Sequence, residues 1–277
     1  MRNQSVSARL LKRNLATWCH SPSNFVDTHN SMSLTPSLVK LPLLLTNALL
    51  CRRAVQPPNP PSAAEERQKY EENKKTRDFL DRITPWYLPA LPIAFHVMSA
   101  IEAYVILSTA LPFLQAPFIY RLLVPGDSTD LLPRIHVTPS FTFGSLLIFA
   151  GTMLRLACYS KMGPQFTFDL SIRKEHKLVT DGPYSIVRHP SYLGTFLYSV
   201  GLLLAQFGSG SWWQECGIWD YPLGKVMGLI RIAFQVSLVT LLFVRVPAED
   251  LVLQNEFKEQ WVAWTKKTPY KLFPGIY

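Results

Sequence analysis

The chain has 277 residues, a net charge of +9 and four cysteines. Its length allows one or two soluble domains, but the apolar residues stand in blocks instead of being spread along the chain, which excludes an ordinary water-soluble fold. Basic residues collect in Lys161–Arg188 and after Arg245 without the repeated basic-aromatic surface of a nucleic-acid binder. Cys19, Cys51, Cys158 and Cys216 are scattered with no CxxC and no histidine at metal spacing, so neither a disulfide framework nor a metal centre is expected.

Met1–Asn30 carries Arg2, Arg9, Lys12 and Arg13, several serines and no acid before Asp27. Two readings of residues 1–31 stand side by side. One is a mitochondrial transit peptide; the other is a poorly structured extension ahead of Met32, where the segment reads as a native start. Leu41–Cys51 is the first apolar block and lengthens toward a span if Leu34–Lys40 is included, so residues 32–54 are expected to form the first transmembrane helix. Gln56-Pro-Pro-Asn-Pro-Pro is an extended linker, because consecutive prolines forbid helix. Ala63–Arg82 then interleaves acids and bases at helical spacing, as in Arg67 with Glu71 and Glu71 with Lys75. It reads as a solvated or interfacial helix with no catalytic role. Residues 55–85 are thus a linker and charged helix, and 86–277 the core.

Trp86–Leu114, Phe141–Tyr159 and Val226–Val244 reach or approach the roughly 20 residues that cross a bilayer. Tyr192–Phe207 does so if Pro190 and Ser191 form its first turn. The expected fold class is all-α, an integral multi-span protein with about five transmembrane helices. Trp86, Tyr87, Trp212, Trp213, Trp219 and Tyr221 flank the blocks as interfacial aromatics. The long second block has room for a kink or a second short helix. His96 within it reads as a polar group satisfied inside the bundle, or more weakly as a functional residue. Arg155 and Lys225 lie near block ends, where snorkelling is expected. Arg231, about one and a half turns into the last block, joins the site candidates. Gly144, Gly151, Gly194 and Gly201 allow close helix approach, and Gly194 with Gly201, seven apart, marks a packing seam. Placing Lys161–Arg188 and the tail after Arg245 in the cytosol meets the positive-inside rule. It puts Arg52–Thr84 on the same side and Gln115–Pro139 on the other.

The densest chemistry stands in His176–Gly194. Gly182-Pro183 forces a turn, and Arg188-His189 precede Pro190, which suits the first position of a helix. An Arg-His pair at the mouth of an apolar helix can simply snorkel. Joined by a Gly-Pro turn, Tyr184, Tyr192 and His176, it points to a ligand site. After the last block come Arg245 and Glu249, four apart and on one helical face unless Pro247 starts a new helix. Taken alone they are a boundary ion pair; beside the first cluster they supply a cation for an anionic substrate and a carboxylate for a cationic cofactor. Phe257, Trp261, Trp264, Tyr270 and Phe273 follow in an amphipathic tail suited to lie on the membrane or close over a site.

His176–Gly194, Arg245 with Glu249, Phe257, Trp261, Trp264 and the closing Pro269-Tyr-Lys-Leu-Phe-Pro together resemble the isoprenylcysteine carboxyl methyltransferase family, from about Phe141 onward. The linker is similar to that of some fungal members. The resemblance implies S-adenosyl-L-methionine as cofactor, lined by His176, Lys177, Leu178 and Val179 and completed by Tyr184, His189, Pro190, Ser191 and Tyr192. It implies that Glu249 holds the cofactor's amino-acid end and that Arg245 binds the substrate carboxylate, the two being the catalytic pair. The family's amide seven residues before the first histidine is Asp169 here, and its Phe-Gly…Tyr tail pattern appears as Phe257-Lys258…Trp261. The implied activity is O-methylation of the C-terminal carboxylate of prenylated cysteine in a multi-pass endoplasmic-reticulum membrane protein, or in a mitochondrial one if residues 1–31 are a transit peptide. Partners are prenylated protein C-termini or small prenylcysteines and membrane lipid, with no nucleic acid and no metal. Related patterns leave a phospholipid or other lipid N-methyltransferase and an NADPH-dependent sterol reductase as alternatives, and Asp169 keeps a non-catalytic cofactor-binding protein among them. Methylating a carboxylate, already ionised near neutral pH, needs no general base; an amine acceptor would need one, and Asp250 or Glu249 is placed to serve.

Overall fold

The computed structural model describes residues 29–61, 79–125, 134–168 and 177–277. His176 and Asp169, most of the extension 1–31 and the charge pairs around Glu71 lie outside them. The chain divides into Met1–Thr35, of which only the start of a helix is described, and Pro36–Tyr277, which holds the bundle. Every regular element among the described residues is helical: α1 His29–Val55, α2 Phe79–Ala110, α3 Pro117–Leu123, α4 Pro139–Met162, α5 Pro190–Phe207, α6 Trp212–Glu215, α7 Pro222–Phe257 and α8 Glu259–Lys267. The long second block holds most of α2, which already begins at Phe79, and a tight turn over Pro112–Leu114, with α3 following it. His96 bonds through Nδ1 with the Pro92 carbonyl at 2.5 Å, which is the satisfied-histidine reading.

Among the described residues, four stretches are long and apolar enough to cross a membrane: Pro89–Ala110, Pro139–Gln165, Pro190–Glu215 and Pro222–Phe257. The protein is therefore an all-α, multi-span membrane protein. The fifth expected span lies in α1, which is not among those four and carries Lys40 within it and Arg52 and Arg53 in its last turn. Outward-facing Leu45, Phe143, Leu146, Leu229 and Ile230 are each more than half exposed. In water that apolar surface would be costly; against lipid it is not.

Proline and its cap residue start the two central helices. Thr138 Oγ1 accepts from the Phe141 N–H at 3.2 Å ahead of Pro139, and Pro190 takes the first position of α5 after His189. These helices pack along the expected seam. A Cβ on Gly151 would stand 2.5 Å from the Gly194 carbonyl oxygen, and one on Gly201 2.5 Å from that of Gly144. Only glycine permits that approach.

Helix α1 is fastened to the bundle along its length. Lys40 Nζ is ion-paired with Glu102 and donates to the Gly210 carbonyl at 2.7 Å. Asn47 Nδ2 donates to Ser145 Oγ at 2.8 Å. Helix α7 runs 36 residues, about 54 Å, and so outlasts a hydrocarbon core of about 30 Å. Pro247 does not start a new helix. It lies inside α7, removing one backbone hydrogen bond without ending the helix, so Arg245 and Glu249 sit one turn apart on a continuous rod.

Candidate active site

The site forms where the start of α5, the last turns of α7 and the C-terminal tail converge. Gly182 opens the preceding tight turn at φ +61°, a left-handed conformation that favours glycine. The turn brings Tyr184 inward: its hydroxyl donates to Met162 Sδ at 2.8 Å, and its carbonyl accepts from Trp264 Nε1 at 3.1 Å. Burial holds its phenol well above the usual tyrosine range. Next to the turn, exposed Asp181 pairs with Lys161, whose hydrogen bond lowers the carboxyl below its ordinary value.

The strand of chain before α5 is clamped by the tail. Arg188 N–H donates to the Tyr270 carbonyl at 2.9 Å and His189 N–H to that of Lys271 at 2.8 Å. This fixes both side chains toward α7. His189 Nε2 donates to Asp250 Oδ1 at 2.8 Å, and Arg188 Nη2 to Asp250 Oδ2 at 3.2 Å, with Lys271 Nζ 4.0 Å from the same oxygen. Tyr192, one turn into α5, stacks on the His189 ring at 5.6 Å between centroids and donates its hydroxyl to Glu249 Oε2 at 2.7 Å.

The two neighbouring carboxylates are thereby given different jobs. Asp250 is met by the cations Arg188 and Lys271 and by the His189 ring. Glu249 takes one hydrogen bond from a neutral phenol, with His189 Nδ1 at 3.7 Å, and its side chain is 30 % exposed. Glu249 therefore retains capacity for a cation from outside the protein. Arg245 is buried one turn earlier on α7.

Among the expected cofactor residues, Tyr192 and His189 approach Glu249 here, Pro190 and Ser191 lie buried between them at the start of α5, and Tyr184 is buried within the turn that leads to them. Lys177 is exposed and its N–H donates to Gln165 Oε1 at 2.6 Å, while Leu178 and Val179 pack on the aromatic cluster around Tyr159, Phe166 and Tyr184. Trp261 and Trp264 of the tail are buried in that same cluster, and Arg188 lies over the Trp261 ring at 5.6 Å. The tail closes over the site. Arg231, the weaker candidate, is buried far down α7, where Nη1 donates to Gln235 Oε1 at 3.0 Å; it does not join this cluster. Asp250 is the residue that sequence reasoning undervalued. Its signal was an acid beside Glu249 and the adjacent Arg188 and His189 far earlier in the chain, a cation and a ring that can both meet a carboxylate.

A family model for isoprenylcysteine carboxyl methyltransferases matches residues 144–209, the segment that holds α4, the turn and α5. This segment is thus similar to the isoprenylcysteine carboxyl methyltransferase family. Protein-S-isoprenylcysteine O-methyltransferase B of Arabidopsis thaliana is 33 % identical over 129 residues, 46 % of this chain and 56 % of that protein. The Schizosaccharomyces pombe protein-S-isoprenylcysteine O-methyltransferase is 28 % identical over 158 residues, 56 % of each chain. The Xenopus laevis protein of the same name is 38 % identical over 76 residues, 26 % of each. The chain spans about half the length of the first two relatives. The glycine-lined seam and the Arg188–Tyr192 site both rest on the segment that carries the family's pattern.

Proposed function

We propose that this protein transfers a methyl group from S-adenosyl-L-methionine to the C-terminal carboxylate of prenylated cysteine, on proteins or small prenylcysteines. The observation that carries this reading is the division between the two acids of α7, with Asp250 held by cations and Glu249 left able to take an ammonium group. Bound there, S-adenosylmethionine supplies an electrophilic methyl on its sulfonium. Glu249 binds the cofactor's ammonium, with Tyr192 and His189 fixing the carboxylate's angle. Lys177, Leu178, Val179, Tyr184, Pro190 and Ser191 would line the rest of the cofactor, with His176, outside the described residues, as a further expected member. Arg245 grips the substrate carboxylate with two parallel hydrogen bonds and so sets its line of approach. Trp261 and Trp264 exclude water, and the remaining contribution is positioning.

No proton has to be removed from a carboxylate. Asp250, engaged by Arg188, His189 and Lys271, is poorly placed to take one from an amine, which favours the carboxyl acceptor over a lipid amine. We place the site at the cytosolic boundary of the endoplasmic-reticulum membrane, with the prenyl chain lying among the spans. The test is transfer of labelled methyl from S-adenosylmethionine to N-acetyl farnesylcysteine in membranes containing the protein. Labelling of phosphatidylethanolamine instead would overturn the reading.

A further inference from the structure

Arg155 stands inside α4, where a snorkelling side chain was expected, yet it is buried and turned into the bundle. Its guanidinium reaches three elements. Nε donates to the Ala54 carbonyl at 2.7 Å, in the last turn of α1. Nη1 donates to Thr195 Oγ1 at 2.5 Å and to the carbonyl and hydroxyl of Ser191 at 3.3 and 3.2 Å, all in the first turns of α5. Nη2 donates to the Tyr159 hydroxyl at 2.5 Å, and that hydroxyl donates in turn to Ala54 at 2.7 Å. The plane also lies near the rings of Tyr159 and Phe168, at 5.3 and 5.5 Å.

A second fastening lies just beyond. Asn59, in the proline linker, donates from Nδ2 to the carbonyls of Gly163 and Phe166 at 2.7 and 2.9 Å. The end of α1 and the linker are thereby tied to the turn after α4, which leads toward the site. Both attachments reach outside residues 144–209, the stretch that carries the family's pattern.

We propose that Arg155 is a positioning residue that uses the end of α1 as an anchor for the start of α5, holding Ser191 and hence His189 and Tyr192 in register with Glu249. Ser191 precedes Tyr192 directly, so a shift of the first turn of α5 moves the phenol that meets Glu249. Lysine cannot replace the arginine, because one ammonium on a flexible stem cannot serve Ala54, Ser191, Thr195 and Tyr159 from a fixed plane. The kinetic side of the proposal rests on the methyltransferase reading; the anchoring itself does not.

The experiment uses the full chain in nanodiscs, with Arg155→Gln, Arg155→Lys, Thr195→Val and Asn59→Ala compared with the parent. Hydrogen exchange is read over 186–195 and, as a control, over 222–240, and S-adenosylhomocysteine binding and turnover kinetics are measured alongside. Both Arg155 variants should lose protection over 186–195 while 222–240 stays protected. They should weaken S-adenosylhomocysteine binding and raise the cofactor KM roughly tenfold, with a smaller change in kcat. Thr195→Val and Asn59→Ala, which leave the buried charge in place, should do the same by roughly threefold. They decide the matter if the Arg155 variants do not fold. Unchanged protection over 186–195, full rescue by Arg155→Lys, or exchange rising equally everywhere in the two milder variants would each overturn the proposal. Altered protection in a protein whose parent neither binds S-adenosylhomocysteine nor transfers methyl would remove the proposed activity and leave the anchor standing.

Discussion

Tyr192 donates its hydroxyl to Glu249 at 2.7 Å, joining the first turns of α5 to the last turns of α7. The bond fixes the one carboxylate of the pair that has capacity for a ligand. Tyr192→Phe keeps the ring on His189 and deletes that hydrogen bond. A hydrogen bond to a charged group is worth about 1.5–3 kcal/mol, discounted here because Glu249 is partly exposed. Cofactor affinity should fall about fivefold to tenfold with prenylcysteine KM little changed. Titration with S-adenosylhomocysteine by calorimetry checks this, and an unaltered affinity would detach Glu249 from the cofactor.

Arg245→Lys should harm turnover far more than folding. Lysine keeps the charge without the two-pronged grip, and the loss of such a contact is about 2–4 kcal/mol, on the order of a hundredfold in rate. Glu249→Gln should instead weaken the cofactor first. Michaelis constants for both substrates in each variant separate these outcomes, and near-normal kinetics for Arg245→Lys would reduce that residue to a packing role.

Lys258 joins α7 to α8 at φ +45° and ψ −111°, and it is the non-glycine residue with positive φ among those described. Glycine adopts that conformation freely, whereas a side chain there costs about 1–3 kcal/mol. The position is the one at which the tail departs from the Phe-Gly pattern of the resembled family. Lys258→Gly should therefore raise the unfolding temperature in detergent, by an amount corresponding to about 1 kcal/mol, since glycine's greater freedom when unfolded offsets part of the gain. A lower unfolding temperature would show that the lysine has a compensating contact.

Gly151→Ala should be among the most damaging small substitutions in the protein. The added methyl meets the Gly194 oxygen and the Tyr198 nitrogen at 2.5 and 2.6 Å, both backbone atoms that cannot swing away. Forcing α4 from α5 costs about 1–3 kcal/mol and displaces the start of α5 with it. Thermal unfolding should drop and S-adenosylhomocysteine binding should weaken together. Stability without loss would mean that the seam is looser than it stands.

Features set by neighbours in the chain were readable from the letters. Pro190 marked the start of α5, the spaced glycines marked the seam, and the long apolar blocks became helices. What escaped was set by partners far along the chain. Arg155 looked like a snorkelling end residue because its acceptor, Ala54, is 101 positions away and leaves no periodic trace. Asp250 read as no more than a possible base because its partners, Arg188 and His189, stand ahead of α5 and 62 and 61 positions away. Pro247 left open whether a new helix starts there, since inside a helix a proline costs about 3 kcal/mol; α7 runs through it nonetheless. The aromatic tail allowed two destinations, and only the burial of Trp261 and Trp264 chose between them.

The single unbroken rod of α7 acts as a ruler standing on the far face of the membrane. Arg245 lies 23 residues above Pro222, about 34 Å along the helix axis, just past a hydrocarbon layer about 30 Å deep. Because the helix is continuous from Pro222 through Arg245, the height of the guanidinium above the lipid is set by residue count and tilt. A thicker bilayer must then tilt the rod less or draw Arg245 toward the acyl chains, and a thinner one lifts it into water. Lipid chain length thus becomes a dial on the depth at which that guanidinium stands.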